Sequence, residues 1–88
     1  MPAPYRLEIL SKAKRQMRKM PTGDFTFVDK AICSLKDNPR PWGVKKIEDE
    51  VHRIRVGDWR VIYSIHDDVK IVVISLVLRR SESTYKAL

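Results

Sequence analysis

Arg53, Arg55, Arg60 and Arg79 are the residues of this sequence whose type and spacing could do chemistry. A guanidinium grips a phosphate through a two-point fork and stays charged at any accessible pH. Several on one surface would bind a polyanion, or stabilise negative charge as it builds on a phosphate in a transition state. Strand register decides whether they share a surface. If Gly57-Asp58 and Asp67-Asp68 are both two-residue hairpin turns, Val56 pairs with Trp59, Arg55 with Arg60, and His66 with Val69, which sets Arg60 opposite Ser75. Side chains alternate faces along a strand, and directly paired residues share one. One face then carries Ile54, Val56, Trp59, Val61, Tyr63, Ile65, Val72, Ile74, Leu76 and Leu78, almost wholly apolar. The other carries Arg53, Arg55, Arg60, Ile62, Ser64, Ile71, Val73, Ser75, Val77 and Arg79, with no carboxylate among them. Like charges directly opposite on a sheet are destabilising by a few tenths to about 1 kcal/mol. A bound anion explains such a face better than plain solvation, unless Glu48, Glu50 or Glu82 pairs the arginines from outside the sheet. A one-residue bulge in either hairpin would scatter the set.

The elements that must position these residues follow from periodicity. Tyr5, Leu7 and Ile9 alternate with Arg6 and Glu8, which predicts a first strand over 5–9. Ser11 stands where a helix cap belongs, and residues 12–20 place Ala13, Met17 and Met20 on one helical face with Lys and Arg on the other. Pro21-Thr22-Gly23-Asp24 reads as a break. From Phe25 a second helix carries Val28, Ala31, Ile32 and Leu35 on one stripe, with Cys33 near it as a small buried residue, and ends at Asp37-Asn38-Pro39. Residues 44–48 read as a short strand or a connector, strands follow over about 51–56, 59–66 and 69–78, and Ser81 would cap a last turn over 82–88. The fold class is α+β: two N-terminal helices packed on one face of a small antiparallel sheet, in the order β-α-α-β-β-β with a short C-terminal segment.

Length and charge bound the function. Eighty-eight residues make one small domain, 1–88, too short for a dinucleotide fold or a (β/α) barrel. Lys and Arg number 18 against 11 Asp and Glu, a net charge of +7 that favours a polyanionic partner. A single cysteine excludes an intramolecular disulfide, and one Cys with His52 and His66 makes no zinc site. Neither a signal peptide nor a membrane span is evident, which makes a cytoplasmic protein the expectation. His52, Tyr63 and Trp59 have core parity and read as packing residues. Trp42 would anchor the connector. The outer face of the first helix, with Lys12, Lys14, Arg15, Arg18 and Lys19, is either a solvated face or a surface for RNA backbone.

The run His52-Arg53-Ile54-Arg55-Val56-Gly57-Asp58-Trp59-Arg60-Val61-Ile62-Tyr63 resembles the central signature of the RelE/ParE toxin superfamily. Tyr5 with Ala13 and Met17, the helix end Leu35-Lys36-Asp37-Asn38-Pro39, the stretch Gly43-Val44-Lys45-Lys46-Ile47, and Arg79 with Tyr85 are similar to other parts of that pattern. The resemblance covers nearly the whole chain. It implies a toxin of a type II toxin–antitoxin pair, of RelE-like kind: a ribosome-dependent endoribonuclease that needs no metal or other cofactor and cleaves mRNA in the ribosomal A site. By that resemblance Arg53 and Arg55 stand where relatives often carry lysines, Arg60 stabilises the transition state, Arg79 protonates the leaving group, and Tyr85 stacks on or orients a base. The implied partners are an antitoxin, the ribosome with its rRNA and mRNA, and operator DNA for the toxin–antitoxin complex. The alternatives are a ParE-like inhibitor of DNA gyrase without nuclease activity, and a non-catalytic nucleic-acid-binding module. The general base is the gap in the nuclease reading, because arginine titrates far above the neutral range that suits a base. Lys45 and Lys46 are assigned to no site face, and Glu48 or Glu50 would serve if the connector folds over the sheet.

Overall fold

The computed structural model describes residues 4–79. Its elements are β1 (Arg6–Ile9), α1 (Ser11–Arg18), α2 (Thr22–Ser34), β2 (Lys45–Glu48), β3 (Val51–Val56), β4 (Trp59–His66) and β5 (Ile71–Arg79). The α+β class and the helix pair are as the periodicity predicts. The connector over 44–48 resolves into a strand, which makes the order β-α-α-β-β-β-β. Tyr85 and the expected turn after Ser81 lie outside the described residues.

The helices form where their apolar stripes require. Ala13 and Met17 of α1 are buried, and Met20 follows them under the same face. Val28, Ile32 and Leu35 do the same for α2, at i, i+4 and i+7. Leu10, rather than Ser11, holds the cap position of α1, and its carbonyl accepts from Lys14 N–H at 3.0 Å. The second helix begins at Thr22, three residues before the position expected from the Pro-Gly break. Pro21 at the cap loses nothing by lacking an N–H there, and Asp24 in the first turn complements the helix dipole. Cys33 is exposed, which corrects its reading as a buried residue. It lies one helical step past Ile32, off the stripe.

The sheet order is β1-β5-β4-β3-β2. The sheet is mixed rather than wholly antiparallel, because β1 runs parallel to β5 with Arg6 opposite Ile71 and Ile9 opposite Ile74. Alternation along a strand reports its two faces and says nothing of its direction. The β3–β4 hairpin has the predicted register, Val56 on Trp59 and Arg55 on Arg60. Gly57 turns it at φ 60, a left-handed conformation suited to glycine.

The β4–β5 hairpin departs from expectation twice. Its turn spans residues 67–70, with Lys70 at φ 58, so His66 pairs with Ile71 instead of Val69. That two-residue shift preserves every face. The register then slips by one, since Tyr63 pairs with Ile74 but Ile62 with Leu76, leaving Ser75 as the extra residue of a bulge. A one-residue slip flips all that follows. Val77 and Arg79 therefore join the helix-side face, and Leu76 and Leu78 move to the open face. Val77 packs in the core, and its N–H donates to the Gln16 side chain of α1 at 2.8 Å, beyond the point where β1 ends.

The core lies between the helices and one sheet face: Ala13, Met17, Val28, Ile32 and Leu35 against Ile54, Val61, Tyr63, Ile65, Val72, Ile74 and Val77. His52 and Tyr63 are buried there, as expected. The His52 Nδ1–H donates to the Glu50 carbonyl at 2.8 Å, and the ring stacks on Tyr63 at 5.9 Å. The Tyr63 hydroxyl donates to the Pro39 carbonyl at 2.7 Å, and burial raises its pKa above the ordinary value. Trp59 is half-buried against the core, and its indole N–H donates to Asp24 at 3.2 Å.

Candidate functional site: the open face of the sheet

Helices α1 and α2 cover one sheet face and leave the other. Cross-strand rows on that open face follow from the pairings. The first row is Arg55, Arg60 and Leu78; the second is Lys45, Arg53, Ile62 and Leu76. The third is Glu48, Val51, Ser64, Val73 and Glu8; the fourth is His66, Ile71 and Arg6. Arg53, Arg55 and Arg60 thus gather at one end of the face, and Glu8, Glu48 and His66 lie toward the other, with Arg6 at its edge.

Three of the four predicted arginines share this face. Arg55 and Arg60 are directly opposed, and Arg53 lies diagonal to Arg60, a spacing of about 7–8 Å between backbones. Arg60 is only 5% exposed, with Ile62 and Leu78 beside it, and its Nη1 donates to the Trp59 carbonyl at 3.3 Å. Its apolar neighbours hold the stem, which keeps the guanidinium preorganised. Arg53 has its pKa lowered by burial and then by the charge of Arg55, the mark of a crowded cationic site. Three guanidiniums on neighbouring strands give this end of the face the chemistry to grip a phosphate.

Arg79 does not join them. The Ser75 bulge places it opposite Trp59 on the other face, with its guanidinium 5.1 Å from the indole ring centre. Its expected position beside Arg60 is taken by Leu78. The bulge is a backbone event that alternation in the sequence does not display.

The structure adds residues the sequence reading left out. Lys45 stands opposite Arg53 on the open face, correcting the expectation that no register would put it there. Lys46 pairs with His52 on the opposite parity. A register shift between Lys46 and Glu48, with Asp49 at φ 37, turns Glu48 into the Ser64 row and brings Glu50 to the sheet. Glu50 Oε2 lies 3.2 Å from His66 Nδ1, and His66 Nε2 lies 2.9 Å from Ser64 Oγ. The signal for these contacts was the i, i+2 spacing of Ser64 and His66 on one strand face. The carboxylate needed the turn.

Other charged and aromatic groups fall outside the face. Asp67 in the β4–β5 turn accepts from Tyr5 and pairs with Arg40 at 2.8 Å, tying the segment after α2 to the turn. Trp42 is fully exposed and anchors nothing, contrary to expectation. With Phe27, Ala31, Pro41, Ile54 and Val56 it lines a groove of about 680 Å³ between α2 and β3. Lys12, Lys14, Arg15, Arg18 and Lys19 of the first helix and its end are exposed. Among the described residues no group of three His, Cys, Asp or Glu is placed to hold a metal, and no helix is long and apolar enough to cross a membrane.

Comparison with known proteins agrees with this architecture. The family model for the ParE toxin of type II toxin–antitoxin systems matches residues 7–84. The Methanocaldococcus jannaschii protein named "Putative toxin RelE1" is 31% identical over 87 residues, covering 93% of this chain and 96% of that protein. The archaeal RelE–RelB complex from Pyrococcus horikoshii contains a chain that superposes with a TM-score of 0.83 at 25% identity, covering 91% of this chain and 99% of that one. The toxin–antitoxin complex RelBE2 from Mycobacterium tuberculosis gives 0.77 at 26% identity, over 89% and 100% of the two chains. This chain belongs to the RelE/ParE superfamily of type II toxin–antitoxin toxins.

Proposed function

We propose that this toxin is a ribosome-dependent endoribonuclease that cleaves mRNA in the ribosomal A site. The observation that carries the reading is the grouping of Arg53, Arg55 and Arg60 on the sheet face the helices leave open, with Arg60 held almost entirely out of solvent. The reaction is attack of a ribose 2′-hydroxyl on the adjacent phosphorus, expelling the 5′-oxygen. Charge builds on the nonbridging oxygens, where the three guanidiniums supply preorganised stabilisation without requiring a metal. In-line geometry comes from the ribosome, which holds the message, so a small open face suffices. Arg79, which the resemblance puts at the leaving 5′-oxygen, lies beside Trp59 on the other face, so it is assigned to contacts with RNA at the edge of the sheet and not to the scissile phosphate. Tyr85 is assigned to stacking on a base. The partner implied by the complexes of the structural relatives is a cognate antitoxin, whose complex with the toxin would bind operator DNA.

Primer extension on mRNA from cells expressing the protein tests this directly. Sharp stops within codons of translated messages are expected. Arg60→Ala should lower cleavage on programmed ribosomes by about 10²–10³, the usual loss for one oxyanion donor. Intact message on programmed ribosomes with the wild-type toxin rules the reading out. The match to the ParE family model favours one second reading, inhibition of DNA gyrase. Plasmid supercoiling by gyrase in the presence of the toxin separates the two.

A further inference from the structure

Arginine at positions 53 and 55 is unsuited to remove the 2′-hydroxyl proton, so the nuclease reading needs a base from elsewhere on the open face. A base at neutral pH needs a pKa near the working pH, which imidazole has and guanidinium lacks. Only two histidines are present. His52 is committed to the core, where its Nδ1–H is used on the Glu50 carbonyl. His66 is on the open face, about one-third exposed.

We propose that His66 is the proton acceptor of the cleavage reaction, working through the Ser64 hydroxyl and steadied by Glu50. This rests on the ribonuclease reading and names the base that reading lacks. Three observations carry it. Glu50 Oε2 is 3.2 Å from His66 Nδ1, which favours the tautomer with the proton on Nδ1 and leaves Nε2 as an acceptor. Nε2 is 2.9 Å from Ser64 Oγ, within reach of the serine proton. Arg53 pairs with Ile62, so it is diagonal to Arg60 on one side and to Ser64 on the other. A phosphate gripped by Arg53 would have the Arg60 row on one side and the Ser64 row on the other.

The step balances without a further reagent. The 2′-oxygen forms its bond to phosphorus as its proton passes to Ser64 Oγ, and the serine proton passes to His66 Nε2. The bond from phosphorus to the 5′-oxygen breaks, the 5′-oxygen takes a proton from water, and the hydroxide left behind takes the proton from His66 and restores the base. The products are a 2′,3′-cyclic phosphate and a 5′-hydroxyl. Glu50 stabilises the imidazolium that forms, as the third group does in hydrolase triads. The other charged groups around His66 are Arg6 in its own row, Glu8 and Glu48 in the Ser64 row, and Asp67, Asp68 and Lys70 in the adjoining turn. Asp67 is held by Arg40 and Tyr5, and the helices pack on the opposite face.

Single-turnover cleavage on programmed ribosomes, measured from about pH 5.5 to 8, is the test. Wild-type rates should climb with pH across the range where imidazole titrates, then level. His66→Gln should lower the plateau by about 10²–10⁴ and erase the climb, with ribosome binding unchanged. Glu50→Gln should lower the plateau by less than His66→Gln does, because the ring stays in place but loses the carboxylate that orients it and stabilises the imidazolium. A purely structural role for His66 would leave the shape of the profile intact. Cleavage by His66→Gln within threefold of wild type and with the same profile overturns the inference while the ribonuclease reading stands. So does loss of the climb in Lys45→Ala with its retention in His66→Gln. Absence of cleavage by the wild type fells both.

Discussion

Replacing Tyr63 by phenylalanine separates the scaffold of this protein from its site. Tyr63 is fully buried, faces the helices, and donates its hydroxyl to the Pro39 carbonyl at 2.7 Å. That bond pins the segment after α2 to the middle of β4. Phenylalanine keeps the ring, so no cavity opens, but it strands a buried carbonyl. A buried acceptor left without its donor costs about 1–3 kcal/mol. A neutral pair with some room to relax belongs in the lower part of that range, about 1–2 kcal/mol. For a domain of this size each kcal/mol moves the midpoint by about 4–8 °C, so the expected fall in Tm is roughly 4–16 °C. Burial raises the phenol pKa, so the hydroxyl stays a donor and the loss should not vary between neutral and mildly alkaline pH. Tyr63→Ala removes the ring as well and should cost about 3–5 kcal/mol, a large share of the 5–15 kcal/mol of a typical domain. Thermal and urea unfolding give the midpoints, and cleavage on ribosomes reads the proposed activity. An unchanged midpoint in Tyr63→Phe would refute the assigned hydrogen bond. A fully folded Tyr63→Phe protein that no longer cleaves mRNA would refute the assignment of Tyr63 to the core.

Asp67 predicts how the protein meets acid. Its pKa is held down to about 2 by hydrogen bonds from Arg40 and Tyr5, below the unfolded value near 3.9. A depressed carboxylate stabilises the fold above its unfolded pKa, and that contribution fades as pH falls from about 4 to about 2. Asp67→Asn should flatten the pH dependence of urea midpoints in that window, modestly, since the group is exposed and screened. An unchanged slope would mean the contact is not maintained in solution. Gly57→Ala should destabilise by about 1–2 kcal/mol through its φ of 60 alone, because the added Cβ meets the Phe27 ring at an ordinary 3.8 Å. Gly57→Asn should lose less, as asparagine tolerates the left-handed region. Equal losses in the two variants would point to packing instead of backbone conformation.

Much of the scaffold was readable from residue spacing. Val28, Ile32 and Leu35 identify the buried stripe of α2, and Ile54, Val61, Tyr63 and Ile65 the buried face of β3 and β4, because amphipathic periods of about 3.6 and 2 are local properties of the chain. Gly57-Asp58 similarly gives the β3–β4 register, and with it the facing of Arg55 and Arg60, since a two-residue turn leaves one way to pair the strands. The segment 44–48 was ambiguous because a four-residue edge strand has too few repeats to display a period.

The sequence by itself determined the class of the fold, the core, and the facing of Arg53, Arg55 and Arg60. These depend on contacts within one element or across one tight turn. Tertiary structure alone decided the rest of the site. The parallel seat of β1 beside β5 depends on a pairing between distant segments, and it brings Arg6 and Glu8 onto the open face. The Ser75 bulge sends Arg79 to Trp59 and puts Leu78 beside Arg60, and no alternation of residue types marks where a ladder will slip. The turn at Asp49 sets Glu50 against His66, joining residues sixteen apart whose contact exists only once β3 and β4 have paired. Side-chain type gave each residue its chemistry, and backbone register chose which chemistries meet.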